Sequence, residues 1–186
     1  MKEYAAADLR ALIETIREVV QVSPSPDTPL LYLIGNTSHL AEGWRERVAR
    51  FELGGEPGGT LELAVREASR ALGLPVVWET PADVIPLSPG WAERARPASS
   101  LDDASHPFQV VHFDPYSVVL RLVARGDEPD YLAALEYLRH GWVEVAQLEE
   151  LLGELLLRFT SATLAQDPAE FRRKFRGLRQ LSASVA

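Results

Sequence analysis

Side chains able to do chemistry are sparse in these 186 residues. The four histidines, His39, His106, His112 and His140, are scattered along the chain. His112 and Asp114 lie two apart on an expected strand, so both would project from one face. His106, Asp102 and Asp103 are near in sequence, and the five together could be drawn as a metal site. All but His112 and Asp114, however, fall in a loop without fixed ligand spacing, and no metal site is assigned. His39 at a helix start and His140 beside Gly141 read as solvated or capping residues. With no cysteine, thiolate zinc sites, iron–sulfur clusters, disulfides and cysteine nucleophiles are excluded. No G-x-S-x-G, Walker loop, H-E-x-x-H or G-x-G-x-x-G occurs. Gly54-Gly55 and Gly58-Gly59 flank Glu56-Pro57 as turn residues rather than as a phosphate cradle.

The elements that must position any site are those of a globular protein, with 46% hydrophobic and 25% charged residues. A net charge of −8 argues against general nucleic-acid binding. No apolar run approaches the roughly 20 residues of a membrane span. The opening MKEYAAADLR is charged where a signal peptide is apolar, so a cytoplasmic location is expected. Seventeen of the 19 basic residues are arginine and one asparagine is present, a bias that fits a GC-rich genome and a hot habitat.

Apolar residues at three-and-four spacing predict a helix over 5–20 that the prolines at 24 and 26 end. Leu30 to Ile34 reads as a strand covered on both faces. Gly35-Asn36-Thr37-Ser38 breaks it and opens a helix expected to reach Val48. Phe51 and Leu53 predict a short strand, Thr60 to Leu72 a helix capped by a left-handed Gly73, and 76–78 and 109–113 two further strands. The proline-rich stretch 81–107 reads as a long loop. From Tyr116 onward the pattern is helical, with Pro168 opening the last helix. The expected fold class is therefore α+β, a mixed sheet with flanking helices over 1–115 followed by a helical tail over 116–186.

Charge is segregated in that tail. Residues 127–154 carry eight carboxylates and one arginine, whereas 167–179 carry five bases and two acids. The plain expectation is two neighbouring helices facing each other with complementary charge. The alternative makes Arg172, Arg173, Lys174, Arg176 and Arg179 a site for RNA or an acidic partner.

One set of motifs goes further. Leu31-Tyr32-Leu33-Ile34-Gly35-Asn36-Thr37-Ser38, then Glu42-Gly43-Trp44-Arg45, and later Phe113-Asp114-Pro115-Tyr116 occur in an order that resembles a family of small bacterial nucleotidyltransferase-fold proteins. These are related to the minimal nucleotidyltransferases and to AbiEii-type toxins. Ala82-Asp83-Val84-Ile85-Pro86 and Pro89-Gly90-Trp91 are also similar, so the resemblance covers about Leu31 to Leu181. It implies a nucleotidyltransferase-like sheet in which two aspartates at i and i+2 on a strand bridge two Mg²⁺ ions. It also implies backbone N–H groups at the helix start after the glycine that hold phosphates.

Laid on this chain, the implied site has lost charges. Counting from Gly43-Trp44-Arg45, the family's threonine and lysine fall on Val48 and Ala49, its first aspartate on Arg50 and its second on Glu52. A guanidinium about 4 Å from a cation opposes it by several kcal/mol at an effective dielectric near 20. The tail's usual lysine falls on Leu122, beside Arg121. Asp130 is kept, but its partner three residues on is Ala133. Scaffold positions such as Gly35, Gly43, Trp44, Asp114, Pro115, Tyr116, Arg125 and Gly126 persist.

The expectation is a catalytically degenerate nucleotidyltransferase-fold protein acting by binding, with a small partner protein in a toxin–antitoxin or defence-like pair. A second copy of the chain is an alternative partner. The nucleotide-facing residues would be Gly35, Asn36, Thr37, Ser38 and Arg50, with no resident metal or cofactor. The competing expectation is an active transferase using Mg²⁺ and a nucleoside triphosphate, with Glu52 and Asp114 catalytic. A third is an RNA adaptor using Arg172, Arg173, Lys174 and Arg176.

Overall fold

The computed structural model describes residues 2–20, 28–56, 59–80, 85–101, 107–159 and 167–185. They divide into two compact units, Met1–Thr80 with Arg96–Phe113, and Pro81–Ala95 with Asp114–Ala186. The chain passes from the first unit to the second at 113/114, and the segment before Arg96 groups with the helical unit. The protein is α+β: a five-stranded mixed sheet with helices, then helices alone.

In the first unit α1 spans Ala6–Val19 and buries Leu9, Leu12, Ile13 and Ile16, the stripe its spacing predicts. Its start is closed by the Ala5 N–H, which donates to Asp8 Oδ2 at 2.8 Å. There follow β1 (Leu30–Leu33), α2 (Asn36–Ala41), β2 (Phe51–Gly54), α3 (Thr60–Leu72), β3 (Val76–Glu79), β4 (Arg96–Pro97) and β5 (Gln109–His112). The sheet order is β3-β2-β1-β5-β4. β1 runs parallel to β5 and antiparallel to β2, β2 runs parallel to β3, and β4 runs antiparallel to β5. Leu31, Leu33, Phe51, Leu53 and Val110 join α1 and α3 in one core. Removing such a buried leucine side chain costs about 2–5 kcal/mol, so this layer fixes the sheet.

Three local expectations are corrected. Leu31 and Leu33 are fully buried but Leu30 and Tyr32 only half-buried, so β1 is not covered equally on its two faces. The helix after Gly35 stops at Ala41 instead of Val48, because Gly43 turns the chain with φ +74° and Val48 instead bridges Tyr4. Within the expected loop 81–107, residues 92–94 form a turn of 3₁₀ helix and β4 pairs with β5. Gly73 does cap α3 in the left-handed region. Pro24, Pro26, Pro57, Gly58 and residues 82–84 of the motifs above lie outside the described residues.

The second unit holds α4 (Pro115–Arg125), α5 (Glu128–Arg139), α6 (Val145–Leu156) and α7 (Pro168–Val185). α4 is its centre, buried from Pro115 to Ala124. Gly126 ends α4 with φ +75°, and Lys174 of α7 lies against it, donating to the carbonyls of Ala124 at 2.7 Å and Arg125 at 2.9 Å. A cation on the last carbonyls of a helix satisfies orphan acceptors and the negative end of its dipole. Among the described residues, no helix is long and apolar enough to cross a membrane.

Candidate functional site

Two carboxylates carry the implied chemistry, and each lies at the start of a helix in its own unit. In the first unit β1 runs through Ile34 into Gly35, whose φ of +54° and ψ of −123° only glycine adopts readily. α2 then begins at Asn36. Alternation along β2 buries Phe51 and Leu53 in the core and turns Glu52 to the opposite face. Glu52 Oε2 accepts the Asn36 N–H at 3.3 Å, and a Cβ on Gly35 would stand 2.6 Å from that same oxygen. The glycine turn therefore encloses a carboxylate of the chain itself.

The neighbouring side chains lock this turn. Thr37 Oγ1 accepts the Glu52 N–H at 2.6 Å, and the Ser38 hydroxyl donates to the Leu33 carbonyl at 2.9 Å. Both side chains are buried. Arg50 lies 3.5 Å from Glu52 Oε1, with its own side chain 54% exposed against 12% for Glu52. An ion pair that open contributes about 0–1 kcal/mol. The structure thus brings Gly35, Asn36, Thr37, Arg50 and Glu52 together, with Ser38 turned back onto β1. α2 is six residues long, under two turns, and its dipole is correspondingly weak.

In the second unit Asp114 is the N-cap of α4 and is fully buried. It accepts from the backbone N–H groups of Tyr116 and Ser117 at 3.1 and 3.2 Å, and from the Ser117 hydroxyl at 2.7 Å. The Ser88 hydroxyl donates to it at 3.2 Å. Arg94 grips both oxygens, Nε to Oδ1 at 2.9 Å and Nη2 to Oδ2 at 2.7 Å. Arg94 also donates to the Pro89 carbonyl at 2.7 Å and stacks over the Tyr116 ring at 5.6 Å. A carboxylate offers about four lone-pair positions, and six donors converge on these two oxygens. Asp114 is fully committed to holding α4.

The residues do not fit a pair of Mg²⁺ ions. Glu52 is held on the α2 backbone with a guanidinium beside it, and Asp114 has no lone pair to offer. His112 does not share a strand face with Asp114, because β5 ends at His112 and the chain then turns into α4. Instead the buried imidazole donates through Nε2 to Glu42 Oε1 at 3.0 Å. Burial pulls its pKa below the usual 6.5, a shift that Glu42 opposes and Arg96 reinforces. Among the described residues no three histidine, aspartate or glutamate side chains form a metal-ligand group. His106, Asp102 and Asp103 lie outside those residues. His39 is fully buried against Trp44, with ring centres 5.2 Å apart, rather than solvated. His140 does sit at the C-cap of α5, beside Gly141.

The basic helix is divided by use. Lys174 is taken up by the end of α4 and by Glu170 at 3.5 Å, and Arg173 approaches Glu170 at 3.7 Å. Among the described residues one ion pair, Arg179 with Glu149 at 3.4 Å, links α7 to α6. The expected facing of complementary helices is therefore reduced to a single exposed contact. Asp130 is engaged by Arg125, which donates through Nε at 3.1 Å and Nη2 at 2.7 Å.

Sequence reasoning missed Ser88 and Arg94 as the partners of Asp114, and Glu42 as the partner of His112. No periodic signal marks contacts made across 20 or 70 residues of chain by single side chains. No family model matches the chain, and neither a curated protein nor a solved structure matches it.

Proposed function

We propose that the chain is a non-catalytic binding protein on a nucleotidyltransferase-like scaffold, acting with a small partner protein in a toxin–antitoxin or defence-like pair. The observation that supports this reading is Glu52 in the Gly35 turn. A phosphate held by that turn would have to displace a carboxylate already hydrogen-bonded to Asn36 and leave it beside the incoming charge. Arg50 stands where the motif places the first metal-binding acid, 3.5 Å from Glu52 Oε1, so that position brings a cation and not a ligand beside Glu52. What remains is a folded scaffold with surface for a partner.

A thermal-shift titration with Mg²⁺ and each nucleoside triphosphate tests it. A ligand at 100 times its dissociation constant stabilises by about 2.7 kcal/mol, well within such a measurement. The expected result is no shift with any triphosphate and no Mg²⁺-dependent transfer of label to protein or RNA. Label transfer that disappears in Glu52→Ala would overturn the proposal in favour of an active transferase.

A further inference from the structure

The α6–α7 face of the second unit carries features that the scaffold itself does not use. A groove of about 220 Å³ lies between Glu149, Leu152, Gly153 and Leu156 of α6 and Arg172, Phe175, Arg176 and Arg179 of α7, with the ion pair of Arg179 and Glu149 at its border. Gly153 keeps this groove open. It sits inside α6, where glycine is less favourable than alanine, yet its φ is not positive and a Cβ there would meet nothing within 4 Å. Neither backbone geometry nor packing within the unit calls for a glycine.

One turn further along the same face, Leu157 is 88% exposed, the most exposed large apolar side chain among the described residues. Charge is ordered across this surface. Arg172 and Arg176, one helical turn apart, border the groove, and no carboxylate among the described residues pairs with either. Glu150 and Glu154, also one turn apart on α6, are exposed and equally without a basic partner among the described residues. Helix periodicity sets these two glutamates to the side of Gly153 away from the groove.

We propose that this face binds a second copy of the chain about a two-fold axis near Gly153, with Leu157 of each copy entering the groove of the other and Arg172 and Arg176 of each meeting Glu150 and Glu154 of the other. A two-fold interface must be self-complementary, and a surface with unpaired cations bordering the groove and unpaired anions beyond Gly153 becomes its own complement when rotated by half a turn, Glu149 being already paired with Arg179. An RNA strand fits it less well. The groove floor is aliphatic, and its one aromatic, Phe175, is only 4% exposed and offers no stacking platform. The inference deepens the binding-protein reading by naming one partner as the chain itself. The nucleotide titration and the assembly measurement are separate, so the failure of either is recognised by itself.

Sedimentation of the full chain across micromolar to high-micromolar concentrations supplies the test. The expected result is a reversible shift to twice the 20.6 kDa chain mass. R172E/R176E and E150R/E154R should each weaken the dimer by about 100-fold through like charges at the contact. Mixed in equal amounts, these two variants should restore a dimer, because both contacts then pair opposite charges. G153W, which fills open space, should give a monomer with an unchanged far-ultraviolet spectrum. A wild-type chain that stays monomeric throughout, a dimer that survives in both charge variants, or a mixture that fails to reassociate would overturn the proposal. So would a monomer whose arginines bind single-stranded RNA.

Discussion

Asp114 and Glu52 are the same kind of group in the same kind of place, a carboxylate accepting backbone N–H groups where a helix begins. Their surroundings set them apart. Asp114 is fully buried, and it receives two serine hydroxyls and both arms of Arg94 as well as the backbone. Glu52 accepts the Asn36 N–H at 3.3 Å beside a largely exposed Arg50. The first carboxylate cannot leave without stranding a guanidinium and two hydroxyls. The second closes a turn that another anion would otherwise find. A motif that names both as site residues reads residue type, whereas hydrogen-bond saturation and burial decide which of them could ever have been free to react.

That contrast can be broken most forcefully at Asp114. Asp114→Ala leaves Arg94 without its buried partner and α4 without its cap, and should destabilise the protein by about 3–5 kcal/mol in urea denaturation. Arg94→Ala alone should cost nearly as much, and the double variant far less than the sum of the two. Additive losses would mean that the pair does not act as a unit.

The other member of the comparison predicts a smaller effect. Gly35→Ala places a Cβ at positive φ and against Glu52, and should cost about 1–3 kcal/mol. Adding Glu52→Ala removes the clash but not the backbone strain, so only part of that loss should return. Full recovery would show that the turn tolerates a side chain and that Glu52 alone explains the glycine.

The smallest effect is a pH dependence confined to the first unit. His112 has a folded-state pKa below its ordinary 6.5, so the unfolded chain binds protons more readily than the folded one as the solution is acidified. Its contribution is complete above that pH and is lost as pH falls from about 6.5 toward the folded value. Stability followed from pH 8 down to 5 should decline over that range, and His112→Gln should flatten the part below 6.5. An unchanged slope in the variant would assign the decline to other groups.

Much of this architecture is legible in the sequence because burial imposes a period. Leu9, Leu12, Ile13 and Ile16 announce α1, and alternation around Glu52 announces β2. Gly73 was recognisable as a cap because it follows an amphipathic run. Elements too short to show a period escape: β4 is two residues long inside a proline-rich stretch, and α2 ends at Ala41 with no break in the pattern but Gly43. The site was legible in its parts but not in its relations. Arg50 beside Glu52 follows from strand spacing. That Glu52 would lie on Gly35, or that Arg94 from a proline-rich segment would hold Asp114, depends on the fold bringing distant residues together.

The lysine that closes α4 carries a consequence for synthesis. Every strand of the sheet precedes residue 113, so the first unit has all its hydrogen-bonded partners well before translation reaches α7. The helical unit has no such head start. Its central helix waits for an ammonium group encoded about fifty codons later, and until Lys174 emerges the carbonyls of Ala124 and Arg125 lack the donor that closes them in the folded chain. A ribosome stalled in that interval would present a finished sheet trailing an unlocked bundle, the kind of half-made product that proteases find first.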